Sequence, residues 1–333
     1  MTFLNDKLTD NSKFDGIQKI NFNKFLKKDS KQISICAFDA GAAAHISEWS
    51  NNFNCPIKYS LGGPALKIFR KENKDLINYD IQESLKGSKL HIAGTAWSSD
   101  FEISSIKLAK EHSIYTISVL DHWVSYKQRF IYEGEIILPD EIWVSDVIAK
   151  DIASKEFPTV KLSVLPNLWM HKLIAKVKNS SLKENQEKNK PALNLLYLLE
   201  PIRSSKQWET KYGDLSEFDA LRYFFDRISI LKKLNYIDQN QSKLNLRFRL
   251  HPSEKIEKYK NFLFELHPNI EYEISSSQFL EDDLAWCDIA FGIETQALIC
   301  ALECGIISMS TKPKWAEECC LPHEKLLHLS KLI

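Results

Sequence analysis

The sequence predicts two successive α/β domains, each a parallel sheet covered by helices, facing one another across a cleft. Three observations predict it. Short apolar, β-branched runs alternate with helix-like stretches along most of the chain. The alternation breaks at a polar segment, 176–191, and then restarts. Small, hydroxyl and acidic residues collect just after the strands. Such alternation implies parallel βαβ units, and near-continuous apolar strands imply a sheet covered on both faces. A chain of 333 residues is too long for one ordinary core and comfortable for two.

Residues 1–30 are polar and rich in Lys and Asn, a loosely held lead-in. The first domain spans 31–175. Its strands read as ISICAF (33–38), KYSL (58–61), KLHIAG (89–94), YTISVL (115–120), EIWVS (141–145) and KLSVLP (161–166). Between them, DAGAAAHISEW reads as a tight turn and helix, and TAWSSDFEISSIKLAKEH as another turn and helix. Asp146 is placed to cap VIAKDIASKEF. The segment 176–191 carries no apolar periodicity and reads as the linker.

The second domain spans 192–333. LNLLYLL (193–199), LNLRFRL (244–250), IEYEI (270–274), CDIAFG (287–292) and IISMS (306–310) read as strands. Asp214 and Glu217 sit at capping-box spacing before a helix whose apolar stripe is Phe218, Leu221, Phe225 and Ile228. Pro252 is expected to open a helix directly after His251. Ala297, Cys300, Ala301 and Cys304 form a small-residue face that lets a helix lie close to a sheet. Together the two halves read as Rossmann-like domains.

Composition narrows the function classes. Lys plus Arg, 44, equals Asp plus Glu, 44, so a strongly basic nucleic-acid binder is disfavoured. Seven cysteines without a CxxC pair read as buried small residues of a reducing compartment, not as a disulfide framework or zinc site. Cys319 and Cys320 are adjacent and are the pair to test for reactivity. The N-terminus has no signal-peptide pattern and no apolar run is long enough to span a bilayer. The expected location is cytoplasmic, with peripheral contact at the inner membrane left open.

In open α/β sheets ligands bind outside the carboxyl ends of the strands, so residues just after each strand are the candidates. Asp39, Gly41 and His45 follow the first strand, where a glycine turn and helix amides suit an anion or a sugar hydroxyl. Gly62-Gly63-Pro64 reads as a structural turn. Thr95, Ser98 and Ser99 can hold a sugar acceptor, and Asp100, placed ahead of Glu102, can deprotonate it or serve as an N-cap. Asp121 and His122 can act as base or hydroxyl ligand, Trp123 can stack on a sugar, and Tyr126, Lys127 and Arg129 add anion contacts. In the second domain, His251 can donate to a phosphate beside a helix start, with Arg247 and Arg249 sharing one strand face. Ser275, Ser276 and Ser277 suit a phosphate or a capping loop. Gly292, Glu294 and Thr295 offer a glycine turn, a carboxylate for ribose hydroxyls and a helix N-terminus for phosphate.

A strand ending in His251-Pro252, then a Ser-rich turn, then strand–Gly–x–Glu–Thr–helix resembles the nucleotide-binding domain of GT-B glycosyltransferases. The His-Pro element is similar to that of bacterial sialyltransferases and Kdo transferases, which use CMP-activated sugars. His-Pro also occurs in UDP-sugar epimerases and polyol-phosphate transferases of the same fold, and a second pair, His267-Pro268, lies in this chain. The resemblance implies that His251 and Pro252, with Ser275, Ser276, Ser277 and Thr295, hold the donor phosphate. The Asp/Glu-Asp/Glu-Gly motif that supplies the base in several sialyltransferases is absent, so Asp39, Asp100 and Asp121 compete for that role.

The function expected is a metal-independent glycosyltransferase without a resident cofactor. It moves a sugar from a nucleotide-activated donor, a CMP-sugar being favoured, to a glycan or lipid-linked acceptor in surface polysaccharide synthesis. The alternatives are a UDP-sugar epimerase or hydrolase of the same fold and a non-catalytic nucleotide- or glycan-binding module.

Overall fold

The computed structural model describes residues 32–96, 99–184, 192–203, 212–228, 243–252, 254–266 and 271–332. The first domain holds a parallel sheet of β1 (Ile33–Ala37), β2 (Ile57–Leu61), β3 (Leu90–Ala93), β4 (Tyr115–Leu120), β7 (Glu141–Val144) and β8 (Lys161–Val164), in the order β2-β1-β3-β4-β7-β8. Two short strands, β5 (Ile131–Tyr132) and β6 (Glu135–Ile136), pair as a separate antiparallel hairpin. The second domain holds β9 (Ala192–Leu198), β10 (Lys243–Arg249), β11 (Tyr272–Ile274), β12 (Ile289–Gly292), β13 (Ile307–Ser310) and β14 (Leu327–His328), also parallel, in the order β11-β10-β9-β12-β13-β14. Counting only its own strands, that is the doubly wound order 3-2-1-4-5-6. Each sheet reverses its strand order once, between β1 and β3 in the first and between β9 and β12 in the second. These switch points are where such sheets leave a crevice.

The helices follow from the apolar periods. In the first domain they are α1 (Ala40–Ser50), α2 (Gly63–Glu72), α3 (Ile81–Leu85), α4 (Phe101–Glu111), α5 (Val147–Glu156) and α6 (Leu168–Glu184). Asp146 caps α5 as expected, accepting from the Ala149 amide at 2.6 Å. The expected linker is corrected over its first part: α6 runs through 176–184, and 185–191 lie outside the described residues. Met170, Leu173, Ile174 and Val177 on α6 are buried. Their i, i+3, i+4, i+7 spacing puts them on one stripe, each contributing roughly 1.5–3 kcal/mol by leaving water.

The second domain carries α7 (Glu217–Phe225), α8 (Glu257–Leu266), α9 (Leu280–Trp286) and α10 (Gln296–Glu303). The capping box of α7 is formed by Ser216 and Asp219, not by Asp214 and Glu217. Glu217 is instead buried, paired with Lys258 and accepting from the Arg203 amide at 3.0 Å. The expected stripe packs into the core, with Leu221 and Phe225 buried and Phe218 and Ile228 partly so. Pro252 is exposed in a turn closed by Glu254 N donating to His251 O at 2.9 Å, so α8 starts at Glu257 rather than at the proline.

Each sheet has its own core, around Ile35, Trp49 and Trp143 in the first domain and Tyr197, Phe224, Phe248 and Phe291 in the second. A further cluster is continuous through both, joining Leu120 and Trp123 to Leu298 and Ile299 through α6. The small-residue face of α10 packs into it, with Cys300 and Ala301 fully buried. Among the described residues no helix is long and apolar enough to cross a membrane.

Candidate functional site

The carboxyl ends of the two sheets face each other. Gln296, opening α10 after β12, donates its Nε2 to the Asp121 carbonyl after β4 at 3.0 Å. Lys71 of α2 lies 4.3 Å from the ring centre of Phe279, which precedes α9. Asp39 after β1 lies within electrostatic reach of His251 after β10. Burial pushes the His251 imidazole down, while the negative charges of Glu254 and Asp39 act in the opposite sense. Asp39 is half-buried at the N-cap of α1, yet its side chain does not cap that helix. A carboxylate and an imidazole, one from each domain, thus share one electrostatic field.

Behind Asp39 lie two further carboxylates. Glu102, on the first turn of α4, is 1% exposed. It accepts from the Phe38 amide at 2.8 Å and from the Ala96 amide. Burial raises its carboxyl to about 8, the two amides oppose the rise, and Asp39 and Asp121 add to it. Gly94 makes room for it, since a Cβ there would lie 2.1 Å from Glu102 Oε1. Asp121 pairs with Arg129 at 3.3 Å. Its Oδ2 lies 1.8 Å from where a Cβ on Gly41 would sit, so Gly41 is required by close approach. Burial pushes the Asp121 carboxyl up, Arg129 pulls it back, and Asp39 adds to the rise. Arg129 also donates to the Thr95 carbonyl at 2.7 Å, which makes it a brace within the first domain.

Other first-domain candidates are placed differently from the sequence expectation. His45 is fully buried, with ring centres 5.5 Å from Trp49 and 6.1 Å from Trp169. Burial pushes it down to about 4, and packing under α6 removes it from the cleft. Thr95 is buried and donates its hydroxyl to Val119 O at 2.8 Å. Trp123 is no sugar platform: it is buried, donates Nε1 to Asp146 at 3.0 Å, and meets His323 edge-on at 4.6 Å. Tyr126 is buried as well, and Lys127 pairs with Glu156 at 3.2 Å. His122 accepts the Trp123 amide on Nδ1 at 3.0 Å. Ser99 accepts from the Phe101 amide at 3.2 Å. Asp100 is exposed at the N-cap of α4 and makes no capping bond. Ser98 lies outside the described residues, as does the second His-Pro pair. Gly62 and Gly63 pack on the Phe38 ring, Gly63 with φ +44°.

In the second domain, the serine turn is tied into the protein. Ser275 donates to Asp283, which is fully buried and also holds Arg247 at 3.2 Å and Arg249 at 2.6 Å. Ser277 bonds Asp282 at 2.6 Å, and Ser276 is exposed. Glu294 is buried and paired with Lys312 at 2.9 Å, while its amide donates to Glu200 Oε2 at 3.0 Å. Its carboxylate therefore braces the ends of β12 and β13. Thr295 is the N-cap of α10, accepting from the Ala297 amide at 3.4 Å. A Cβ on Gly292 would lie 3.2 Å from Leu198 O, so this glycine permits close strand-to-helix packing. Burial raises the Cys319 thiol, which argues against its reactivity.

Sequence reasoning missed Glu200, Gln296, Lys312 and His323, and ranked Glu102 behind Asp100. Glu200 and Lys312 each lie two residues past a strand end, so the rule that located the other candidates could have found them.

A scan against protein-family models and a search of curated proteins give no match. Solved structures do resemble the chain. A Listeria monocytogenes protein described as a UDP-N-acetylglucosamine 2-epimerase aligns with a TM-score of 0.51 at 9% identity, covering 84% of this chain and 79% of that one. MurG of Acinetobacter baumannii gives 0.45 at 10% identity over 86% and 79%. The wall teichoic acid polymerase TagF gives 0.42 at 9% identity over 84% and 70%. At such identity the first of these speaks to the fold. Both sheet orders agree with it: the chain consists of two facing Rossmann-like domains.

Proposed function

We propose that the protein is a glycosyltransferase that takes a nucleotide-activated sugar, a CMP-sugar by preference, and delivers it to a glycan or lipid-linked acceptor. The observation that carries this reading is that the ends of the two sheets meet, through the Gln296 bond to Asp121, with Asp39 after β1 near enough for its charge to act on His251 after β10. The donor lies on the second domain, with its phosphate near His251 and the start of α10 at Thr295. The acceptor lies against the first domain. Its hydroxyl oxygen forms the new bond to the anomeric carbon, the bond from that carbon to the phosphate oxygen breaks, and the hydroxyl proton passes to a carboxylate. Asp39 is the base we favour among the three rivals, because its charge acts on His251 from the opposite domain. His251 stabilises the leaving phosphate.

The test is a thermal-shift screen against CMP, CDP, UDP and GDP, since a ligand that binds only the native state stabilises it. A shift with CMP above the others, followed by acceptor-dependent sugar transfer, supports the reading. A second reading, a UDP-sugar 2-epimerase, is favoured by the likeness to the Listeria monocytogenes structure. Selective stabilisation by UDP, with product formed when water is the only acceptor, supports that reading instead.

A further inference from the structure

Glu102 is a buried carboxylate that the proposed reaction does not use. It occupies the first domain's switch point, between the ends of β1 and β3, where an open α/β sheet ordinarily leaves its ligand crevice. One oxygen takes the amide of Phe38, the residue before Asp39, and the other takes the amide of Ala96, the residue after Thr95. The Phe38 ring is gripped in turn by Gly62 and Gly63 on one side, and lies 6.0 Å from the ring of Phe101. Gly94 admits the carboxylate, because a Cβ there would overlap both Glu102 and Ala42. Two loop amides that lack strand partners are thereby satisfied by one side chain, which fixes the separation of the two loops.

We infer that Glu102 is a positioning residue, whose buried carboxyl group clamps the loops after β1 and β3 and so sets Asp39 toward His251; the inference rests on the transferase reading above. The same geometry keeps the crevice of the first domain filled from within, which leaves the nucleotide to the second domain. Glutamine at this position is not equivalent. It offers one acceptor oxygen and one NH2 group, and the NH2 would face an amide N–H, donor against donor.

The experiment compares wild type with Glu102→Gln and Glu102→Ala in the full chain, varying donor and acceptor separately, with and without formate as a small carboxylate. The expected result is a fall in kcat of about 10²-fold, the scale of a small misplacement of reacting groups, with the donor KM and the nucleotide-induced thermal shift unchanged. Formate should restore part of the turnover of Glu102→Ala but not of Glu102→Gln, whose side chain still fills the space. Wild-type turnover in both variants overturns the inference, and so does parallel loss of nucleotide binding. Amide exchange at Phe38 and Ala96 separates this inference from the reaction it serves. Protection lost in Glu102→Ala and regained with formate supports the clamp even if wild type transfers no sugar, whereas undiminished protection refutes it whatever the activity.

Discussion

Asp283→Asn removes the charge from a carboxylate that is fully buried at the start of α9, while keeping its size. Its oxygens hold Arg247, Arg249 and the Ser275 hydroxyl. Arg247 retains Glu273 at 2.5 Å and the Trp286 ring at 3.7 Å. Among the described residues Arg249 keeps only the backbone carbonyls of Ser277, Gln278 and Phe279. Removing one member of a buried pair costs about 3–5 kcal/mol. The two arginine side chains are 20% and 16% exposed, so water screens part of the loss and the lower end, about 3 kcal/mol, is expected. That corresponds to a fall in Tm of about 6–12 °C for a domain of this size. Urea unfolding followed by circular dichroism measures it. A loss below about 1 kcal/mol, the scale of an exposed pair, refutes the argument that Asp283 anchors the turn beside His251.

Stability should also depend on pH through Glu102. Its carboxyl is raised in the folded protein from an ordinary 4.5 to about 8. The folded state therefore keeps a proton that the unfolded chain releases between those values, and stability falls as pH rises through that window. At about 1.4 kcal/mol per pH unit, the contribution lost is on the order of 5 kcal/mol. Urea midpoints at low and high ends of the window should converge in Glu102→Gln, and equal slopes in both proteins contradict the assignment. Gly41→Ala should destabilise by about 1–3 kcal/mol, the ordinary cost of overpacking, because the new methyl meets the carboxylate of Asp121; an unchanged urea midpoint contradicts this contact.

The longer strands were legible because parallel strands covered on both faces are apolar almost throughout, YTISVL being β4 residue for residue, whereas the two-residue strands β5, β6 and β14 are too short to show a pattern. The glycine turns and the Asp146 cap were legible for similarly local reasons. The helix α6 was not, because its polar end, from Lys178 onward, resembles a linker even though Met170, Leu173, Ile174 and Val177 carry the helical period. The capping box of α7 was displaced by two residues, since Ser216 and Asp219 form it while Glu217 turns inward to Lys258. Strand-end position brought Asp39 and His251 forward as separate candidates, one in each domain, and only the opposition of the two carboxyl edges puts the charge of one within reach of the other. Position could not say which carboxylate turns inward. Asp100 and Glu102 are two residues apart on one helix start, and only packing against Phe38, Gly94 and Ala96 distinguishes the exposed from the buried one. Likewise, Ser275 and Glu294 look like ligand groups in sequence because their partners, Asp283 and Lys312, are distant along the chain.

In the proposed reaction His251 holds the leaving phosphate, and acceptor-dependent sugar release from a CMP-sugar, compared between wild type and His251→Ala, is the decisive measurement. The imidazole is only half-buried at the end of a strand, so the variant should keep its fold and urea midpoint while losing about 10²–10³-fold in kcat, as when one donor to a developing anion is removed. A folded His251→Ala protein that transfers sugar at the wild-type rate contradicts the account.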